Sequence, residues 1–149
     1  MKHVEILAQV NGYNVTDAYE RISDFPRYPE FSEAVRAVTL LEARPGYTLS
    51  SWEANFRQGI LQWVEEDSFD QTNHTIHFNQ TEGDVDYFAG DWRVISQEAE
   101  DRCQIHFAAA IDLGIPTMAD ILEPIAERAL RENIRSIIAG LFPNAVQFL

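Results

Sequence analysis

The segment Trp63-Val64-Glu65-Glu66-Asp67 sets the carboxylates of Glu65 and Asp67 two residues apart, on an expected strand. Side chains on a strand alternate between its faces, so an inward Trp63 brings Glu65 and Asp67 inward with it. In apolar surroundings a carboxyl group's pKa rises toward neutrality, which makes it a usable general acid or base. One such group can take a proton from carbon beside a carbonyl, as aldol closure requires. It can then deliver a proton to a leaving hydroxyl, as dehydration requires. Glu65 is the first catalytic candidate and Asp67 the second. Glu53 is a third, but it flanks Trp52 and takes the opposite face if Trp52 is inward. The competing reading makes all three solvated strand residues at an open end of a sheet. Trp52, Trp63 and Trp92 form a stacking wall for a flat or polyene ligand, or else plain core. Phe31 and Phe88 join them as substrate-binding candidates. Asn133 lies on an otherwise apolar helical face, and if buried it needs a partner, either a ligand oxygen or a strand carbonyl.

Other chemistries fail on spacing. His74 and His77 are three apart on one expected strand and face opposite sides, so they cannot hold a metal together. His3 and His106 stand alone on strands and read as structural. No glycine-rich phosphate loop or nucleophile elbow occurs. The single cysteine, Cys103, has no partner for a disulfide and reads as a small core residue. No cofactor and no metal is expected.

Composition narrows the classes further. The 149 residues carry a net charge of −13, which argues against nucleic acid and anionic membrane surfaces as partners. Three Trp, five Tyr and nine Phe can build a core and still line a cavity. The first ten residues are too short and too charged for a signal peptide, and no apolar run is long enough to span a bilayer. The expected location is the cytoplasm.

The elements that must position these residues follow from periodicity. Lys2 to Val10 reads as a strand, and Asn14 or Thr16 caps a short helix over Asp17 to Ser23. Pro26 and Pro29 make Phe25 to Phe31 an aromatic elbow. Period-two segments then run over Val35–Ala43, Tyr47–Phe56, Ile60–Phe69, His74–Gln80, Val85–Ser96 and Arg102–Leu113, an antiparallel meander. Pro124 opens a helix whose apolar residues recur at helical spacing through Leu141, and Gly140 and Pro143 end it. The order predicts an α+β helix-grip: a curved seven-stranded antiparallel sheet around a long C-terminal helix, with two short helices after strand 1. Residues 1–149 form one domain in this reading.

The chain resembles the helix-grip superfamily of START and birch-pollen-allergen domains (SRPBCC), and within it the polyketide cyclase/aromatase branch. The resemblance covers essentially the whole chain. It is carried by Asp24-Phe-Pro-Arg-Tyr-Pro-Glu-Phe-Ser-Glu33, Trp52, Trp63, Gln80-Thr-Glu-Gly83, Gly90-Asp-Trp-Arg93 and Asn133. The branch's strand usually reads Trp-x-Ser-x-Arg, so Glu65 replaces the serine and Asp67 the arginine. A tyrosine frequent after the elbow is Ala34 here. Only the helix asparagine persists, as Asn133. The donors that polarise polyketide oxygens are therefore exchanged for carboxylates.

The resemblance implies a cofactor-independent cyclase or dehydratase of a poly-β-ketone-type intermediate, with a place in antibiotic biosynthesis. An acyl carrier protein is the partner it suggests, and Arg27, Arg36 and Arg44 near the elbow are the loose basic cluster where one would dock. The competitors are a non-catalytic carrier or chaperone of a quinone or lipid, and an interaction module of the ribosome-association type, which the acidic charge disfavours. An elongated cavity of several hundred Å³ between the 124–141 helix and the sheet is expected. The Phe25–Phe31 elbow and the Gly114–Ala119 segment should together gate one end of it.

Overall fold

The computed structural model describes all residues except Gln58, Glu100, Pro116 and Thr117, and only the backbone of Ala119 and Asp120. Strand β1 (Lys2–Asn11) leads into helix α1 (Val15–Ser23), a 3₁₀ turn (Phe25–Arg27) and the short α2 (Tyr28–Phe31). The meander follows as β2 (Val35–Arg44), β3 (Tyr47–Phe56), β4 (Gly59–Asp70), β5 (Thr75–Gly83), β6 (Tyr87–Ser96) and β7 (Arg102–Asp112). Helix α3 (Ala119–Leu141) and a short β8 (Val146–Phe148) complete the chain.

The sheet is antiparallel in the order β2-β3-β4-β5-β6-β7-β1-β8. It thus has eight strands where seven were expected. The added one is β8, which pairs with Ala8–Val10 of β1. At three residues it is too short for alternation to reveal it. Strand β5 begins at Thr75, and His74 stands in the turn before it with φ 52°.

Inward residues of the strands build the core. On β1 these are Val4, Ile6, Ala8 and Val10, and on β7 Cys103, Ile105, Phe107, Ala109 and Ile111. Helix α3 lays Leu130, Ile134, Ile137, Ile138 and Leu141 against them. Each such aliphatic burial contributes about 1.5–3 kcal/mol. Asn14 caps α1, its Oδ1 accepting from the Asp17 N–H at 2.9 Å.

Helix α3 starts five residues before Pro124, which therefore sits inside it rather than at its first position. The proline is still close to the helix start, where a missing N–H removes only one bond. Gly140 is not a terminator either. A Cβ there would come 1.9 Å from the Phe31 carbonyl oxygen, so the glycine lets α2 and α3 touch backbone to backbone. No helix among the described residues is long and apolar enough to cross a membrane.

Candidate functional site

The β3–β4 hairpin fixes the site. Its register pairs Trp52 with Trp63, Ser50 with Glu65 and Thr48 with Asp67. Trp63, Glu65 and Asp67 therefore share the inner face with Trp52, Ser50 and Thr48. A register shift lies between β4 and β5 beside Glu65, yet the extra residue, Thr81, falls on β5. The alternation of β4 is left intact. Gly83 permits the approach of β5 to Trp63, because a Cβ there would lie 2.5 Å from Trp63 Cβ.

Both carboxylates are buried, Glu65 at 3% and Asp67 at 0% exposure. Solvated strand residues are thereby excluded as the reading for this pair. Glu53 is half-buried on the other face, within 3.9 Å of Arg36. Glu65 Oε1 accepts from the Trp63 indole N–H at 2.7 Å. Asp67 Oδ2 accepts from Thr48 Oγ1 at 2.7 Å and from Ser50 Oγ at 2.6 Å. Ser50 Oγ in turn accepts from the Trp52 indole N–H at 2.8 Å. Asp67 Oδ1 is buried and receives no hydroxyl, amide or indole donor among the described residues. Burial first, and then the hydrogen bond and charge of Asp67, hold the Glu65 pKa well above the ordinary glutamate range; the Trp63 N–H opposes this.

Glu65 opens on a cavity between the sheet and α3. Its walls include Phe25, Tyr28, Trp52, Trp63, Phe78, Phe88, Trp92 and Phe107, with Leu130, Asn133, Ile134 and Ile137 from the helix. Trp52 and Trp63 stack at 5.7 Å with 7° between their planes, and Phe88 meets Trp63 edge-on at 5.5 Å. The Tyr28 hydroxyl donates to the Ile22 carbonyl at 2.6 Å, so it turns away from any ligand. Burial, with the charges of Glu65 and Asp67 next, raises its pKa well above the ordinary tyrosine value.

The cavity has room for about 60 Å³ of water. That is space for a few water molecules. The expected several hundred Å³ is not there, because the aromatic rings of the walls converge on the interior and fill it.

The other expected residues divide as follows. Trp52, Trp63, Trp92, Phe88, Asn133 and Glu65 line the cavity, while Asp67 stands behind Glu65, outside the lining. Phe31 does not line it: its ring lies 5.5 Å from the Arg21 guanidinium and 5.0 Å from that of Arg27. The chain turns out of the cavity after Tyr28 to pass under Gly140. Asn133 donates to the Asn55 carbonyl at 2.6 Å, the strand-carbonyl alternative, and ties α3 to the end of β3.

The Phe25 end of the elbow lies away from the segment after β7. Phe25 packs 5.6 Å from Phe69, at the opposite end of the sheet from Asp112, while the Glu33 carbonyl reaches Asn55 at 2.6 Å. The elbow thus runs along the cavity; Pro116 and Thr117 lie outside the described residues. Arg27, Arg36 and Arg44 each face an acid, Glu30, Glu53 and Glu42 respectively, so the loose cluster is not a free basic patch. Sequence reasoning missed Phe25, Tyr28, Thr48 and Ser50. The last two share the strand parity of Trp52, and pairing across the hairpin would have set them opposite the acids.

Residues 12–138 match the family described as polyketide cyclase / dehydrase and lipid transport. The chain belongs to this family. A search of curated proteins gives no match. Among solved structures, the family member resembles TTHA0849 from Thermus thermophilus, with 21% identity, TM-score 0.86 and 94% of each chain covered. It resembles the Zhui aromatase/cyclase from Streptomyces sp. R1128 at 18% identity and TM-score 0.84, over 95% of this chain and 91% of that one. A START superfamily protein from Mycobacterium smegmatis aligns at 12% identity and TM-score 0.80, over 94% and 96%. At these identities the likeness establishes the helix-grip fold. The family supports polyketide cyclase/dehydrase-like or START-type ligand binding.

Proposed function

We propose that this family member is a cofactor-independent cyclase or dehydratase that acts on a poly-β-ketone-type compound held between α3 and the sheet, with Glu65 as its proton-transfer group. The observation that carries the reading is a buried carboxyl, opening on an aromatic cavity, whose proton affinity burial has raised. A carboxyl tuned in this way serves as base toward the carbon beside a carbonyl and then as acid toward the departing hydroxyl. The stacked Trp52 and Trp63 present flat apolar surface to a conjugated chain. The small resting cavity requires that α3 or the rings move when ligand enters, and the Asn133–Asn55 bond is a tie that such opening must break. A carrier of hydrophobic molecules is the second reading, favoured by a lining that is apolar apart from Glu65 and Asn133.

Titration with an aromatic 1,3-diketone, followed by NMR of side-chain methyl and indole groups, tests the site. Saturable shifts are expected at Leu61 of β4, which also lines the cavity, at Leu130, Ile134 and Ile137, and at the indoles of Trp52 and Trp63. Shifts confined to the outer sheet face, or none, would refute it. Mass analysis of a bound β-hydroxy ketone separates the two readings: the enzyme releases it with water lost, the carrier unchanged.

A further inference from the structure

We infer that Glu65 and Asp67 hold one proton between them, and that Asp67 is the positioning residue that receives it when Glu65 takes a proton from a bound carbonyl compound. The inference rests on the reading of Glu65 as the cavity's proton-transfer group. It stands on how the four carboxyl oxygens are partnered. Asp67 Oδ2 takes two hydroxyl donors, from Thr48 and Ser50. Its Oδ1 is buried and lacks a donor. A lone buried acceptor of this kind is costly, and a proton on the adjoining Glu65 satisfies it. Glu65 Oε1 already accepts from Trp63, which leaves the other oxygen to carry that proton.

No cation competes for the role. The cavity lining contains no Lys, Arg or His among the described residues. Among the described residues, the titratable neighbour from α2 is Tyr28, committed to the Ile22 carbonyl, and the polar group that α3 adds to the lining is the Asn133 amide. Strands β5, β6 and β7 contribute the rings of Phe78, Phe88, Trp92 and Phe107.

This arrangement resolves a difficulty in the chemistry. A glutamic acid that is un-ionised at rest is a poor base. With Asp67 behind it, the carbon–hydrogen bond of the substrate breaks and its electron pair moves to the carbonyl oxygen. The released proton goes to Glu65, and the proton Glu65 held passes to Asp67 Oδ1. In the reverse direction Asp67 returns its proton and Glu65 gives one to the leaving hydroxyl. The carbon–oxygen bond breaks and water departs, so the pair ends as it began.

Infrared difference spectroscopy on the ligand-free protein tests the pair without any substrate. The carbonyl stretch of an un-ionised carboxylic acid is expected at neutral pH in the wild type and is lost in Glu65→Gln. In Asp67→Asn the band shifts in frequency and its titration midpoint falls, because the neighbouring anion is gone. In Ser50→Ala or Thr48→Val, which keep both acids, the midpoint rises, because the anion loses a donor. Absence of the band in the wild type overturns the inference. So does a midpoint that ignores Asp67→Asn and both hydroxyl substitutions, since Glu65 would then be held neutral by burial alone. If the band behaves as expected while no carbonyl compound is turned over, the proposed reaction falls and the shared proton stands.

Discussion

Replacing Glu65 with Gln should stabilise the protein as pH rises. The unfolded chain releases this proton at the ordinary glutamate pKa of about 4.3. In the folded protein burial and Asp67 hold it to a higher pH. Between those two values the folded state binds one proton more than the unfolded state, so stability falls as pH rises. One proton of difference corresponds to about 1.4 kcal/mol per pH unit. The loss begins near the unfolded value and stops once pH passes the folded one. The Gln amide reproduces the un-ionised acid: its oxygen accepts from Trp63 and its NH₂ can serve the orphaned Asp67 Oδ1. Wild type and Glu65→Gln should therefore be nearly equally stable in mild acid and diverge above it. For a chain of this size each kcal/mol moves Tm by about 2–4 °C, so the variant should gain about 3–6 °C per pH unit. Calorimetry of both proteins across the pH range measures this. Parallel Tm curves would show that Glu65 is ionised in the folded state and would refute the argument.

Gly140→Ala should destabilise, although Ala ordinarily favours a helix interior by about 1 kcal/mol over Gly. The new Cβ meets backbone, the Phe31 oxygen at 1.9 Å, and overpacking of this kind costs about 1–3 kcal/mol; a raised Tm would count against the close α2–α3 approach. Asn133→Ala removes the tie to the Asn55 carbonyl. A hydrogen bond contributes about 0.5–1.5 kcal/mol net, so stopped-flow association of a diketone should quicken by about two- to tenfold, whereas an unchanged rate would mean that entry does not pass between β3 and α3.

The local periods carried much of this structure into view. Strand parity ties Glu65 and Asp67 to the face of Trp63 without saying which face is inner, and that same parity, read across the hairpin from Trp52, places Ser50 and Thr48 opposite the acids. The hydroxyls escaped notice because a serine and a threonine on a strand carry no chemical signal until the register is known. The start of α3 was misplaced because proline at an early helical position is equally compatible with the first turn and with the one after it. Phe31 is the one elbow residue that the sequence offers as a substrate-binding candidate. A four-residue helix pressed under Gly140 turns it out instead, and only the tertiary contact decides that. The cavity's size was not legible at all. Aromatic residues on inner faces can line a space or fill it, and the choice depends on ring orientations such as the Trp52–Trp63 stack, which composition does not encode.

Turnover of a β-hydroxy ketone or poly-β-ketone, measured with ligand affinity in the same preparations, bears most directly on Glu65. General acid–base catalysis contributes roughly 10² to 10⁴-fold. Glu65→Gln should lower the rate of ring closure or water loss by about that factor while Kd stays nearly constant, and Asp67→Asn should lower kcat with little change in KM. Full activity in a protein carrying both substitutions would contradict the account and leave a cavity that works, if at all, by folding its ligand.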